Sequence, residues 1–243
     1  MRLRALLAAA VLTVSTAPAA GAVAHGSDVP PGQYGFVAKL AMTKVPRPDG
    51  STYSSYCTGA LIAPAWVITT GHCFHDAHRE RVSGKVPYPT TVTLGLTDEE
   101  TESGIARKAT EVRQAKENDV ALIRLDSPVT TVTPLSVSRA TPKVGQQLTL
   151  AGWGSLTGAN PKPATRLQQG TVAVAKVDPT TLGVRGAAPE ITTSACTYDS
   201  GAPYFTGTQL VSLEATGPGC PHAGIETTSR ADVIADWIAT HTA

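Results

Sequence analysis

Glycine and proline interrupt this chain so often that long helices have little room. Its 243 residues include 22 Gly and 18 Pro, and the apolar runs between them are short. That pattern favours many short strands joined by turns. Residues 34–42 (YGFVAKLAM) and 91–96 (TVTLGL) alternate as half-buried strands do. Residues 60–69 (ALIAPAWVIT) give two apolar runs broken at Pro64, and 120–125 (VALIRL) give another. Residues 147–151 lead into Gly152-Trp153-Gly154, and 170–177 and 209–213 are further strand candidates. The exception is the end: in residues 230–240, Val233, Ile234, Trp237 and Ile238 share one helical face. The reading is an all-β barrel or sandwich with one C-terminal helix docked on it. There is no internal repeat, and Pro128, Pro134 and Pro142 mark a division between two halves.

The N-terminus reads as an address. Arg2 and Arg4 precede an apolar run, residues 5–14, that is too short to cross a bilayer as an anchor helix. Ala20-Gly21-Ala22 has the small-x-small form of a signal-peptidase site, with Ala17-Pro18-Ala19 as a competitor. Removing residues 1–22 as a signal peptide takes away two Arg and no acid, so the formal net charge moves from +1 to −1. No second membrane candidate follows, and no basic run suggests nucleic acid. At 42% hydrophobic and 16% charged residues, the chain is composed to fold around a core. The expected location is extracellular.

Export makes the four cysteines, Cys57, Cys73, Cys196 and Cys220, readable as two disulfides with three connectivities open. Local pairing closes loops of 16 and 24 positions. A zinc site is disfavoured because no C-x-x-C pair occurs. Three places carry candidate chemistry. Gly71-His72-Cys73 follows an apolar run; Asn118-Asp119 enters a buried strand; Asp199-Ser200-Gly201 sits in a turn after Cys196. A carboxylate entering a buried strand must be satisfied by hydrogen bonds or serve a special role. Together the three offer a base, an orienting carboxylate and a nucleophile, in the order His, Asp, Ser.

With these residues in place, the chain resembles the trypsin/chymotrypsin-like serine protease family in a bacterial secreted form. The matching segments are CTGALIAPAWVITTGHC (57–73), NDVALIRL (118–125), AGWG (151–154), CTYDSGAP (196–203) and the Trp237 helix. The resemblance implies two antiparallel six-stranded β-barrels with the active site between them and a C-terminal α-helix. The division at the prolines then gives residues 23–134 and 135–243, one peptidase domain in two barrels. It implies a secreted serine endopeptidase in which Ser200 attacks the scissile carbonyl, His72 is base and then acid, and Asp119 orients the imidazole. The backbone N–H groups of Tyr198 and Ser200 would form the oxyanion hole. The family's two local disulfides correspond to Cys57–Cys73 and Cys196–Cys220. A freed α-amino group at Val23, opening Val23-Ala24-His25-Gly26, would pair with Asp199. No Lys or Arg closely precedes Val23, so signal peptidase itself would expose it, without a zymogen stage.

The chain departs from the family pattern at several points. Tyr198 and Ala202 stand where the family has Gly, and Thr70-Gly71 replaces a pair of Ala before the His. Ala215-Thr216-Gly217 replaces Ser-Trp-Gly with a one-residue gap, removing a Ser that would bond Asp119. Counting back from Ser200 puts Ser194 at the floor of the specificity pocket, with Gly217 and Gly224 on its walls. An open uncharged pocket favours a bulky apolar side chain, but Glu214, His222 and Glu226 are near enough in sequence to enter it, and a His would favour an acidic one. The alternative function is a catalytically weak or inactive homologue that only binds. An α/β-hydrolase esterase is disfavoured because no G-x-S-x-G occurs and its triad order differs. His72, His75 and His78, with Asp76 among them, have a spacing a metal could use, but His75 and His78 are read as solvated residues after His72, and the acidic run Asp98, Glu99, Glu100 and Glu102 as a solvated hairpin tip rather than a calcium site. No cofactor or metal is expected. Expected partners are protein or peptide substrates, with a proteinaceous inhibitor admissible; the chain is expected to be a monomer, with neither nucleic acid nor, after signal removal, membrane as a partner.

Overall fold

The structure, a computed structural model, describes residues 23–242; the signal peptide expected at 1–22 lies outside them. The first barrel is built from β1 (Val37–Pro46), β2 (Thr52–Ala63), β3 (Trp66–Thr69), β4 (Thr90–Leu94), β5 (Ile105–Gln114) and β6 (Ala121–Leu125). Antiparallel pairing closes it in the order β1-β2-β3-β6-β5-β4. The second comprises β7 (Gln147–Gly152), β8 (Gln168–Val177), β9 (Thr181–Ala188), β10 (Pro203–Thr206), β11 (Gln209–Thr216) and β12 (Glu226–Arg230). It closes in the order β7-β8-β9-β12-β11-β10. The two halves therefore share one topology although the sequence carries no repeat. Closure leaves neither sheet with an open edge of barrel strands. The expected architecture of two six-stranded antiparallel barrels and a C-terminal helix is the one observed.

Three apolar clusters explain which runs alternate and which do not. Leu40, Val67, Val92, Ala121 and Ile123 fill the first barrel. Leu148, Leu150, Val172, Val174 and Val184 fill the second. Trp66, Ile68, Leu122, Trp153, Phe205 and Leu213 form a third cluster between the barrels. In β6, Ala121, Ile123 and Leu125 point into the barrel and Leu122 points into this seam. Both faces are covered, so the segment reads as a continuous apolar run. β8 has its outer face only half-buried, and its buried positions alternate over its first eight residues.

Each chain end crosses to the other half. Ser27 and Asp28 pair with Gln169 and Gln168 of β8, Ala24 bridges to Ser194, and the Val23 side chain sits in the second barrel's core. The C-terminal helix α1 (Ala235–Thr242) places Ile238 in the seam beside Trp66 and Leu122 of the first barrel, with Ile234 from the turn before it. Arg113 in β5 stacks its guanidinium over Trp66 at 4.6 Å and donates to the carbonyl of His241 at 2.8 Å. Among the described residues no helix is long and apolar enough to cross a membrane.

The acidic run departs from its expected solvated state at Asp98, which is buried, bridges to Arg166 and holds its Nη2 at 2.9 Å, fastening the β4–β5 loop to the second half. Glu99 and Glu100 stay exposed, with Glu99 holding Lys39 Nζ of β1 at 2.6 Å. Glu102 accepts from the backbone and hydroxyl of Thr97 in the same loop. Ile238, 3% exposed, carries much of the helix's apolar contact. Ile238→Ala should lower the unfolding free energy by about 2–4 kcal/mol in denaturant melts; a loss below about 1 kcal/mol would mean the helix only rests on the seam.

Candidate active site

β3 delivers the chain to a short 3₁₀ turn, Gly71–Cys73, that presents His72. Gln114 Nε2 holds this turn by donating to the carbonyls of Gly71 (3.0 Å), Phe74 (3.2 Å) and Val82 (3.2 Å). Asp119 lies in the turn just before β6. Its Oδ1 accepts the His72 backbone N–H at 2.9 Å and its Oδ2 pairs with His72 Nδ1 at 2.6 Å. The carboxylate fixes both the position and the tautomer of the ring: the proton sits on Nδ1, leaving Nε2 as an acceptor. Burial alone would raise the Asp119 pKa. The hydrogen bonds and charge of His72, with Arg81 behind, outweigh it and hold the carboxyl below its ordinary value. Arg81 Nη1 is 3.6 Å from Asp119 Oδ1 and donates to the Asn118 carbonyl at 2.9 Å. A Cβ at residue 71 would collide with Gln114 and Arg81, so the Gly that departs from the family pair makes room for the cation.

The Ser200 turn is tied to the first barrel through one residue. Thr58 in β2 donates its N–H to the Ser200 carbonyl (2.9 Å) and its hydroxyl to the Tyr198 carbonyl (3.1 Å), and accepts the Trp153 N–H (3.1 Å). Gly201, at φ 83°, fits against Thr69 and the Thr58 carbonyl, where any Cβ would clash. Within the turn, the N–H of Asp199 bonds the Cys196 carbonyl and that of Gly201 the Glu214 carbonyl. Among the described residues the N–H groups of Tyr198 and Ser200 donate to no acceptor. Tyr198 holds φ at 78°, a conformation the family's Gly reaches without strain and a Tyr does not. Its ring packs edge-on to Tyr56 at 5.6 Å. Both disulfides of the resemblance are formed, Cys57–Cys73 and Cys196–Cys220.

Asp199 is fully buried. Its Oδ1 accepts from Gly154 N–H at 2.8 Å and its Oδ2 from Cys196 N–H at 3.0 Å. Burial, reinforced by the charge of Glu226, pushes its pKa up to about 8. Among the described residues no Lys, Arg or His side chain pairs with it. Val23 is buried in the second barrel's core, and its backbone carbonyl accepts from Gly26 at 2.7 Å. A Val23–Asp199 ion pair is not drawn in this uncut chain.

His72 and Ser200 line one cleft cavity of about 480 Å³, together with residues 195–197 and 214–220. No hydrogen bond joins Ser200 Oγ to the His72 ring among the described residues. Of the three residues expected at the pocket, Gly217 lines the cavity; Ser194 and Gly224 sit behind it. Ser194 is covered because its Oγ accepts the His222 N–H (3.3 Å) and its backbone N–H bonds Ala24. Gly224 is screened by Pro218 and by the His222 ring, whose Nδ1 accepts its N–H at 3.0 Å. Glu214 and Glu226 take the places on the cavity wall instead. A smaller cavity of about 170 Å³ on the other side of His72 is bounded by Tyr56, Tyr88, Arg79 and Tyr198. A cavity of about 450 Å³ near Tyr34, Leu96 and Val132 has no carboxylate, imidazole or amine in its lining.

Sequence reasoning missed Arg81, Gln114 and Thr58, which position the reacting groups from elsewhere in the chain. The only local sign was Gly71 in place of Ala. The His series does not converge: His72 is committed to Asp119, while His75 is buried with Nδ1 against the Asp76 carbonyl (2.6 Å) and Nε2 against Arg79 (3.2 Å). Among the described residues no three His, Cys, Asp or Glu side chains are grouped to hold a metal.

The trypsin family model matches residues 23–238. Human kallikrein-4 is 28% identical over 165 residues, covering 63% of this chain and 56% of kallikrein-4. Trypsin of Saccharopolyspora erythraea is 28% identical over 197 residues, covering 73% of this chain and 81% of its own. Snake venom serine proteinase 14 of Crotalus adamanteus is 37% identical over 109 residues, covering 44% and 41%. The chain thus spans about half the length of some curated relatives that it matches. The solved structure of GrC superposes with a TM-score of 0.73 at 20% identity, covering 89% of this chain and 97% of GrC. Neuropsin, a serine protease expressed in the limbic system of mouse brain, gives 0.71 at 18%, covering 91% and 100%. Human, snake and bacterial relatives all match, so the likeness reaches the family and not a bacterial branch of it. On its matched length and its two closed barrels, the chain belongs to the trypsin family of serine proteases.

Proposed function

We propose that this chain is a secreted serine endopeptidase that hydrolyses peptide bonds through an acyl-enzyme. The observation that carries the reading is His72, held to Asp119 through its backbone N–H and its ring Nδ1 and lining the same cavity as Ser200. Nε2 is the acceptor that takes the Ser200 proton as Oγ attacks the carbonyl carbon. Asp119 stabilises the imidazolium so formed without itself taking the proton. The carbonyl oxygen gains negative charge and is met by the N–H groups of Tyr198 and Ser200, which have no other acceptor among the described residues. His72 then returns the proton to the leaving amine, and water repeats the sequence on the ester. Catalytic hydrogen bonds tighten when substrate is bound, which accommodates the open Ser200–His72 contact.

In this reading residues 1–22 are the signal peptide, residues 23–134 and 135–243 are the two halves of one peptidase domain, and the mature protein is an extracellular monomer. Signal peptidase frees the Val23 ammonium, which turns into the second barrel and neutralises Asp199. Substrates are proteins or peptides, and a proteinaceous inhibitor is an admissible partner. Tyr198 supports a second reading, a homologue that binds without cutting, because a non-Gly residue at positive φ carries about 1–2 kcal/mol of strain in the oxyanion turn.

A fluorophosphonate probe separates the two. The wild type should be labelled on Ser200, and Ser200→Ala should not. A wild type that stays unlabelled while Tyr198→Gly is labelled would favour the binding reading. Asp119→Asn should lower kcat by about 10³–10⁴-fold with little change in KM; a loss below about tenfold would remove Asp119 from the mechanism.

The ion pair has its own signature in pH. Without a cation, Asp199 has a folded-state pKa pushed up to about 8 from its ordinary value of 3.8. The folded state then holds a proton that the unfolded state releases. The associated stability is fully present below about pH 4 and is lost as pH rises through about 8. Thermal melts from about pH 5 to 8.5 should show this loss in protein that still carries residues before Val23, and a smaller loss in protein that begins at Val23. Equal slopes in the two forms would rule out the pair.

A further inference from the structure

The carboxylate that orients His72 is unusually open. Of the Asp119 side chain, 32% meets water, and among the described residues no hydroxyl donates to its oxygens. Ala215 stands where the family pattern has Ser. Ser229 of β12 gives its hydroxyl to the Asp119 backbone carbonyl instead, at 3.3 Å. A carboxylate held only by the residue it must orient is poorly placed to fix that residue.

Arg81 reaches this place from a small hairpin, residues 74–82, that follows the His72 turn. Arg81 bridges to His75, Val82 donates its N–H to the Phe74 carbonyl (3.1 Å), and Gln114 Nε2 pins the Val82 carbonyl (3.2 Å). Arg81 Nη1 donates to the Asn118 carbonyl at 2.9 Å, which fixes the peptide unit leading into Asp119, and stands 3.6 Å from Asp119 Oδ1. The side chain lies over residue 71, where any Cβ would come within 2.7 Å of Nη1 and 2.9 Å of Cδ. Among the described residues Arg81 has no other carboxylate partner. The oxygen it approaches matters. Oδ1 takes the His72 backbone N–H and Oδ2 takes the ring, so the cation sits on the oxygen turned away from the imidazole. It draws negative charge toward that oxygen and adds a like charge behind any imidazolium.

We propose that Arg81 is a positioning residue for the His72–Asp119 pair: it fixes the carboxylate in place of the absent hydroxyl, and its charge keeps His72 available as a base at lower pH. The proposal rests on His72 being that base, as argued above. Other titratable groups surround the pair. Glu214 and Glu226 stand across the larger cavity; His75, Arg79, Tyr53, Tyr56, Tyr88 and Tyr198 line the smaller one. On the hairpin, the Asp76 carboxylate is taken up by the N–H groups of His78 and Glu80. Lys116 and Glu117, before Asn118, are exposed, and Arg230 of β12 is paired with Asp232. None of these pairs its side chain with Arg81. Glu226, pushed up to about 7 by burial, ionises in the range of interest, so the test must read His72 separately from it.

The first readout needs no turnover. In Ser200→Ala protein that begins at Val23, the His72 ring resonance is followed by NMR from about pH 4 to about pH 9. A further His72→Ala change identifies the signal by its loss. Arg81→Gln should raise the proton affinity of the ring about threefold, because a like charge that opposed the imidazolium is gone. Arg81→Lys, which keeps the charge, should restore most of the difference. In protein that retains Ser200, the acid limb of kcat/KM should move to higher pH by the same factor in Arg81→Gln. A Glu226→Gln background removes the other ionisation from that profile. A purely structural Arg81 gives the opposite result: a loosened Asp119 supports the imidazolium less, and the ring binds its proton more weakly. An unchanged or lowered proton affinity in Arg81→Gln would therefore overturn the proposal. A raised affinity beside a wild-type Ser200 that no fluorophosphonate labels would sink the catalytic reading and leave the placement of Arg81 standing.

Discussion

The apolar seam between the barrels is the constraint on which the site depends. His72 and Asp119 come from turns of the first barrel and Ser200 from a turn of the second, so a shift of one half against the other separates them. Trp66, Ile68 and Leu122 on one side and Trp153, Phe205 and Leu213 on the other are almost fully withdrawn from water. Burying each large side chain contributes about 1.5–3 kcal/mol, so the seam resists such a shift. Apolar contact has no direction, however, and does not set register. Thr58 supplies the direction. Its N–H and hydroxyl hold the carbonyls of Ser200 and Tyr198, and its oxygen receives the Trp153 N–H. One residue of the first barrel thereby fixes the two carbonyls of the nucleophile turn.

The same seam explains the Gly-Trp-Gly segment. Trp153 is 1% exposed and packs in the seam, while the glycines on either side of it press against the Asp199 carboxyl. A Cβ at either would occupy the place of a carboxylate oxygen. Asp199 is thus enclosed by backbone, with two N–H groups for hydrogen bonds. The Val23 ammonium proposed above is the cation that would meet it, and residues 23–29 cross onto the same barrel.

Much of this was legible in the sequence, and the parts that were not have a common cause. β3, β6 and β7 were marked by apolar runs because the seam and a barrel interior bury them from both sides. β5 (IARKATEVRQ) and the first half of β2 (TYSSY) escaped notice because their outer faces meet water and their inner positions are weakly apolar. His72, Asp119 and Ser200, the residues proposed to react, were legible because each lies in a short turn with its own local pattern. Their supports were not: Gln114, Arg81 and Thr58 reach the site by tertiary folding from positions 32 to 142 residues distant from the groups they hold, as in Gln114 against Val82 and Thr58 against Ser200. The pocket was misjudged for a different reason. Counting from Ser200 fixes Ser194 along the chain, but the one-residue gap near Gly217 moves the strand that follows. It is Glu226 rather than Gly224 that then faces the cavity.

The departures from the family pattern also compensate one another, which bears on whether the cleft is degenerate or specialised. A decayed site would lose contacts at random. Here the absent Ser at residue 215 coincides with Arg81 against Asp119, and Arg81 fits only because residue 71 is Gly. The strained Tyr198 is braced by Tyr56 from β2. The buried acids Glu214 and Glu226 come with a Gly at 217 that opens them to the cavity and with Tyr204 and Ala195 to hold them. Each substitution that would weaken the ordinary arrangement is matched by a second residue in contact with it. Paired changes of this kind fit a retained cleft better than a decayed one.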